Sequence, residues 1–493
     1  MNTASPLAQH APVLVGIGVA SRREEDPARA LEPMDLMHEA VARAGLDCGS
    51  AHALAGTGFV AVPRGRWNYR NPAGEIKRAI GANDAVTLLS SVGVLQQSLI
   101  GEACARIARG ESDTALVVGA DAGYRLLRAQ ITGAELDERI QHDDPDIYLA
   151  PKDELRHEVE KRAGMQMPVG LYAILESAFR ASHGWSVSEH RDQLANQCAA
   201  FSRVAAGNPH ALQRQAMDAQ QIRDGSARNP MQAFPYTRAH CSTWNVDQAA
   251  ALLLCSVERA QELGIPRERW VYPLASTESN HMVPVSARAD LAVCPGARIA
   301  GRAALDAAGL MASDIDLVDL YSCFPLAVQL YTEALGLSSQ RDLTITGGMP
   351  YAGGPYNNYV FQATCRAAEL LRSGRGRHAL VSCVSGVVTK QAFGLWSMQP
   401  GPRGFVHADV SAAVADETRV RRVCDFYSGQ ASVAGFTVLH GRGQAPKAVV
   451  LADAPDGQRV MATSENPHWV ELLQAEEWVG KSVQIAENQL VVT

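Results

Sequence analysis

The side chains best suited to chemistry crowd one stretch, Leu317 to Tyr359. An apolar run there ends on Tyr321-Ser322-Cys323-Phe324. A glycine-rich loop follows, Gly347-Gly348-Met349-Pro350-Tyr351-Ala352-Gly353-Gly354-Pro355. A phenol can exchange protons, a thiol is a latent nucleophile, and the N–H groups that open a helix attract negative charge. Together they describe a site. Tyr351, Tyr356 and Tyr359 add phenols in the same loop. The other cysteines point elsewhere. There are 10 in all, with no CxxC and no Cys/His cluster, so a structural zinc site is not expected. Most lie in apolar runs and read as small buried hydrophobes.

Regular elements must carry these residues. Pro12–Ala20 reads as a buried strand. Pro33–Leu46 reads as an amphipathic helix stopped by Gly45, and Gly58–Pro63 as a strand. Leu88–Gly110 reads as one long apolar helix, followed by the continuous apolar strand Asp113–Ala122. Strands buried on both faces and alternating with helices give an α/β layered fold. The same grammar recurs. Ala44-Gly45-Leu46 reappears as Ala308-Gly309-Leu310, Gly110 as Gly374, and Ala115-Leu116-Val117 as Ala379-Leu380-Val381, all at one offset of 264 residues (308 − 44). Two homologous halves follow: residues 1–282, interrupted by an insertion at about 123–245, and residues 283–400. The insertion carries a clear helix, Val187–Ala206, and an acidic cluster at Asp143-Asp144-Pro145-Asp146 that reads as a solvated loop. Beyond residue 418 short strands separated by Gly, Pro and Asp-Gly turns predict a small all-β, barrel-like domain, 418–493, with a packing or assembly role.

Composition excludes several functions. The chain has 493 residues and a net charge of −7, which gives no electrostatic case for nucleic acid. No apolar run is long enough for a membrane span, and the N-terminus lacks the pattern of a secretory leader. A cytoplasmic location is the expectation.

The duplicated halves, the insertion, IARGESDTALVVGADA and GGMPYAGGP resemble the thiolase superfamily over roughly residues 12–400. DLYSCFP, GGMPYAGGPYNNY, WNVDQAAALLL and the extra C-terminal domain resemble its thiolase-like protein type 1 branch, whose members are often labelled acetyl-CoA acetyltransferase. The resemblance implies a five-layer α-β-α-β-α core, coenzyme A or an acyl-CoA as ligand, no metal, and acyl/fatty-acid metabolism. It also implies a nucleophilic Cys at a buried helix start, an activating His in Gly-His-Pro, a water-holding His or Asn, and a second Cys as acid and base. Carried over by position, the nucleophile falls at Gly93, within Ser90-Ser91-Val92-Gly93-Val94. The His falls at Gly354, the water-holder at Tyr321, and the acid/base Cys at Cys383. Met167, at the start of a helix of the insertion, and Gly353 with Gly354 are the expected ligand contacts. The glycines are expected to leave space where the imidazole stood. Three readings follow: atypical acyl transfer, retro-aldol cleavage of a β-hydroxyacyl-CoA through Tyr321, or a non-catalytic acyl-CoA or lipid binder. The protein is expected to work as a homodimer or beside a partner subunit.

Overall fold

A computed structural model describes residues 9–50 and 52–492. The leader reading falls mainly on residues 1–8, which lie outside the described residues. The first sheet runs β1 (Pro12–Arg22), β8 (Asp247–Ser256), β4 (Thr114–Ala122), β2 (Phe59–Pro63), β3 (Val86–Ser90) and β5 (Ile147–Leu149). The second runs β10 (Leu317–Asp319), β11 (His378–Ser385), β12 (Lys390–Ser397), β9 (Tyr272–Ser279) and β13 (Val406–Asp409). The strands are almost wholly buried, as their unbroken apolar sequences require.

The duplication is visible in the pairing. The order β2-β4-β8-β1 pairs parallel, antiparallel, antiparallel, and β10-β11-β12-β9 repeats that pattern. The register repeats too. Ala115 pairs with Phe59 and Ala379 pairs with Leu317, so the repeated Ala-Leu-Val triplets occupy equivalent strands. Gly110 and Gly374 both adopt left-handed φ, at 69° and 71°, just beyond equivalent helices. Gly45 and Gly309 are not equivalent. Helix α1 (Pro33–Cys48) runs through Gly45 and is capped by Gly49, whereas Gly309 caps its own helix.

Five layers result. Helix α1 covers the outer face of the first sheet, and α5 (Pro295–Ala308) covers the second. Between the sheets lie α2 (Gln96–Ala108) and α7 (Tyr359–Arg372), each touching both. The insertion contributes α3 (Pro168–Ser182) and α4 (Val187–Ala206), the latter opened by a Ser186/Glu189 capping box. The acidic cluster of the insertion is held: Arg70 meets Asp144 at 2.6 Å and Arg78 meets Asp143 at 2.8 Å. Helix α6 (Pro325–Leu335) follows the Tyr321 segment.

Three expectations change. The long helix from Leu88 is two elements: Val86–Ser90 is a strand and the helix starts at Gln96. A short apolar run does not by itself distinguish buried strand from buried helix. The boundary placed at 282 falls too late and that at 400 too early, because β9 and β13 both belong to the second sheet. The C-terminal region is a closed barrel of β14 (Gly429–Leu439), β15 (Lys447–Asp453), β16 (Arg459–Ser464), β18 (Gln489–Leu490) and β17 (Ser482–Ala486), but it is not all-β. Helix α8 (Pro467–Ala475) packs Trp469 and Leu473 into it. The insertion also lends it a hairpin, β6 (Met231–Ala233) and β7 (Tyr236–Thr237), paired through Ala233 to Leu439.

Candidate functional site

Strand β10 ends on Asp319, whose buried carboxylate organises the stretch that follows. It accepts from Tyr359 Oη at 2.8 Å, from Thr344 Oγ1 at 2.8 Å and Thr346 Oγ1 at 2.9 Å, and from the Ile345 and Thr346 N–H groups at 3.0 Å. Burial raises its pKa, and the Tyr359 and Thr346 bonds oppose that rise. One carboxylate therefore fixes strand end, glycine loop and helix start together. Ser382 Oγ holds the Tyr321 N–H at 2.8 Å, and Ser322 Oγ holds the Met349 N–H at 2.9 Å.

These anchors aim Tyr321 at the start of α2. Its ring meets Tyr359 edge-on at 5.6 Å, and its hydroxyl faces the Gln96 amide. Gln96 is itself fixed, because its Oε1 accepts from Val360 N–H at 2.8 Å. Tyr321 is 8% exposed. Burial, then the neighbouring Cys323 and Cys383, push its pKa well above the usual phenol value. At neutral pH it is a proton donor.

Cys383 is fully buried on β11. Burial pushes its thiol up to about 12, while the Gln97 and Gln96 N–H groups, in the first turn of α2, pull the other way. The helix end favours a thiolate, and desolvation outweighs it. Cys323, also pushed up to about 12 by burial, donates its thiol to Tyr172 Oη at 3.2 Å.

The two glycine positions are filled rather than open. Gly93 has φ +100°, and a Cβ there would lie 2.9 Å from Pro151. Its carbonyl accepts from Lys390 Nζ at 2.5 Å and from Ser385 Oγ at 3.1 Å. At Gly354 a Cβ would overlap Ser242 Oγ and sit 3.1 Å from Met349 Cε. No imidazole-sized space remains, because Ser242 and Met349 have closed onto the smaller residue. Gly353, at φ +109°, admits the Gln248 side chain, whose Nε2 donates to Ala352 O at 3.0 Å. Each of these glycines packs closely against other parts of the protein. Met167 is 48% exposed at the start of α3, and Tyr172, one turn further on, is the side chain of that helix that meets Cys323.

The structure therefore brings Tyr321, Cys323 and Cys383 together and leaves Met167 outside. Tyr351 donates to Ala239 O at 3.0 Å, a packing contact. His281 lines a separate cavity, and Arg203 and Arg238 are exposed. Sequence reading missed Asp319, Gln96 and Lys390. Lys390 lies 4% exposed between Gly93 and Cys383, its pKa lowered by burial and held up by Glu278. A lysine opening an apolar strand and an aspartate ending one were the available signals. Among the described residues no group of three or more His, Cys, Asp or Glu is placed to hold a metal ion, and no helix is long and apolar enough to cross a membrane.

This geometry has known relatives. A family model described as "Thiolase C-terminal domain-like" matches residues 277–342. An acetyl-CoA acetyltransferase of Methanothermobacter thermautotrophicus is 28% identical over 197 residues, covering 40% of this chain and 47% of that one. One of Methanocaldococcus jannaschii is 24% identical over 180 residues, covering 35% and 41%. The chain thus spans less than half the length of the curated relatives it matches. In its fold, its duplicated sheets and these matches the chain is similar to the thiolase superfamily. Within it, the monomeric SCP2-thiolase like protein type 1 of Mycobacterium smegmatis is similar over 98% of this chain and 99% of its own, at 28% identity and a TM-score of 0.83. An Ltp2-ChsH2(DUF35) aldolase (TM-score 0.61) and human mitochondrial 3-ketoacyl-CoA thiolase in complex with CoA (TM-score 0.56) each share 17% identity, covering 80% of this chain and 99% of theirs. Both support the fold alone.

Proposed function

We propose that the chain binds a CoA thioester of acyl metabolism between its two halves and handles it without acylating a cysteine. The observation that carries this is the state of the nucleophile position. Gly93 offers a carbonyl already bound by Lys390 and Ser385, and the nearby thiols of Cys383, fully buried, and Cys323, partly buried, are neutral. A covalent route needs a thiolate, so its first step has no agent here. What remains is a donor set. In this reading the neutral Tyr321 phenol and the Gln96 amide would polarise the thioester carbonyl. CoA thioesters are favoured as ligands because relatives named for CoA chemistry share the fold. Calorimetric titration with CoA and acetyl-CoA, paired with mass spectrometry of the acetyl-CoA-treated protein, tests this. Binding heat with no acyl adduct is expected; an adduct on any cysteine, or no heat, overturns it.

A second reading rests on Tyr321 itself. In a retro-aldol cleavage the β-hydroxyl gives its proton to solvent water and becomes a carbonyl, and the Cα–Cβ bond breaks. Its electron pair then enters the thioester as an enolate, and Cα finally takes up a proton. A neutral phenol beside a neutral thiol suits the last step, with no covalent intermediate. A panel of β-hydroxyacyl-CoAs, assayed with wild type and Tyr321→Phe, decides. Turnover reduced roughly a hundredfold in the variant is the expected result for this acid, and equal turnover removes Tyr321 from the chemistry.

A further inference from the structure

We propose that the junction between the second half and the barrel is a binding site for a phosphomonoester dianion. The segment joining the two, residues 419–421, runs beside residues 287–289: Arg421 N–H donates to Ala287 O at 2.8 Å and Ala289 N–H to Arg419 O at 3.1 Å. That pairing puts Arg419 and Arg421, two residues apart, along one cavity of about 210 Å³, and β16 adds Arg459. Three guanidinium groups meet two carboxylates, Asp290 and Asp453, in the same wall. Asp453 is spent on the arginines, 2.7 Å from Arg459 Nε and 3.5 Å from Arg421 Nε. Asp290 Oδ1 accepts from Ala292 N–H at 3.0 Å. One positive charge is left over.

Arg459 is the decisive residue. It is 1% exposed, Asp453 takes its Nε, and its Nη1 finds no acceptor in the protein. A buried guanidinium donor without an acceptor is costly, and two like charges beside it add to the cost. An anion in the cavity offsets the like charges of Arg419, Arg421 and Arg459. Three forks converging from a strand and a linker suit a tetrahedral dianion better than a planar carboxylate, which a single fork would satisfy. The cavity does not end there. Asp290 and Arg419 also line an adjoining space of about 100 Å³ that reaches His281, Cys294 and Thr389. Thr389 precedes Lys390, the lysine bound to Gly93. A phosphate seated at the arginines leaves the rest of its ligand free to extend into that adjoining space. The CoA 3′-phosphate and a free phosphate carry the same chemistry.

The experiment uses the full chain and Arg419→Gln/Arg421→Gln, two changes at the rim that leave the Arg459–Asp453 pair intact. Thermal shift and calorimetry are run with inorganic phosphate, CoA and 3′-dephospho-CoA, against chloride at equal ionic strength. Phosphate is expected to stabilise wild type beyond chloride, and the double variant to lose that gain. CoA is expected to bind about tenfold tighter than dephospho-CoA, with the gap closing in the variant. No phosphate effect in wild type, or an equal effect in the variant, overturns the site. Because only the CoA comparison rests on the proposed function, phosphate binding with no CoA heat removes the CoA reading and leaves the anion site standing. Equal affinity for CoA and dephospho-CoA overturns the CoA 3′-phosphate as the ligand of this site.

Discussion

At Cys383 two opposing effects meet, and their balance sets the chemistry. The first turn of α2 directs N–H groups at the sulfur, which by itself would make a reactive thiolate. Complete burial outweighs those N–H groups and holds the thiol at about 12. Alkylation by iodoacetamide at pH 8 should therefore leave Cys383 unmodified in the native protein and modify it after denaturation, as peptide mapping would show. Rapid native labelling would contradict this assignment. The same balance governs Tyr321, where burial keeps the phenol protonated and makes it a donor rather than a base.

Elements decide how those residues are held. Helix α3, which carries Tyr172, is clamped by the barrel. Phe436 N–H donates to Ser177 Oγ at 2.8 Å, and Arg180, itself buried, meets Glu477 at 2.7 Å. The closest approach is at Gly435, where a Cβ would stand 2.8 Å from Ile174 O and 2.9 Å from Ile174 Cγ2. A strand and a helix backbone that near leave no room for a side chain. Gly435→Val should cost about 1–3 kcal/mol, as overpacking does, and loosen the barrel from α3. Urea denaturation and limited proteolysis at residues 400–430 would register it. Unchanged stability would mean that the clamp has no energetic role. The barrel thus packs directly on the helix that carries Tyr172.

For the whole molecule, one buried histidine makes stability depend on pH. His240 is enclosed by the insertion, its Nδ1 accepting from Thr237 N–H at 3.2 Å. Burial, then the nearby Arg191 charge, pushes its pKa down to about 3. The unfolded chain takes up the proton near pH 6.5, before the folded one can. The stabilisation is complete above that pH and is lost as pH falls from about 6.5 towards 3, at up to ~1.4 kcal/mol per pH unit. Guanidinium midpoints at pH 7, 6 and 5 should fall in wild type and fall less steeply in His240→Gln, which keeps an acceptor for Thr237. Parallel slopes would assign the acid sensitivity to other groups.

Much of this was readable in the order of residues. Apolar runs located β1, β4 and β11, and a constant offset revealed the two halves, because a strand buried on both faces must be apolar wherever it recurs. Tyr321 was found in the same way, as a reactive type ending such a run, whereas Cys383 was found by the register of the family resemblance. The sequence by itself determined that positions 93 and 354 are glycines, and folding can supply neither a thiol nor an imidazole there. Only the tertiary structure decided what took their place. Ser242 closes on Gly354 from more than a hundred residues away, Lys390 reaches the Gly93 carbonyl from the other half, and Arg459 joins Arg419 and Arg421 across a domain junction. Such contacts depend on which surfaces pack together, and no local pattern records that. The protonation of Cys383 and Tyr321 belongs to the same class, since it is set by how completely distant elements exclude water.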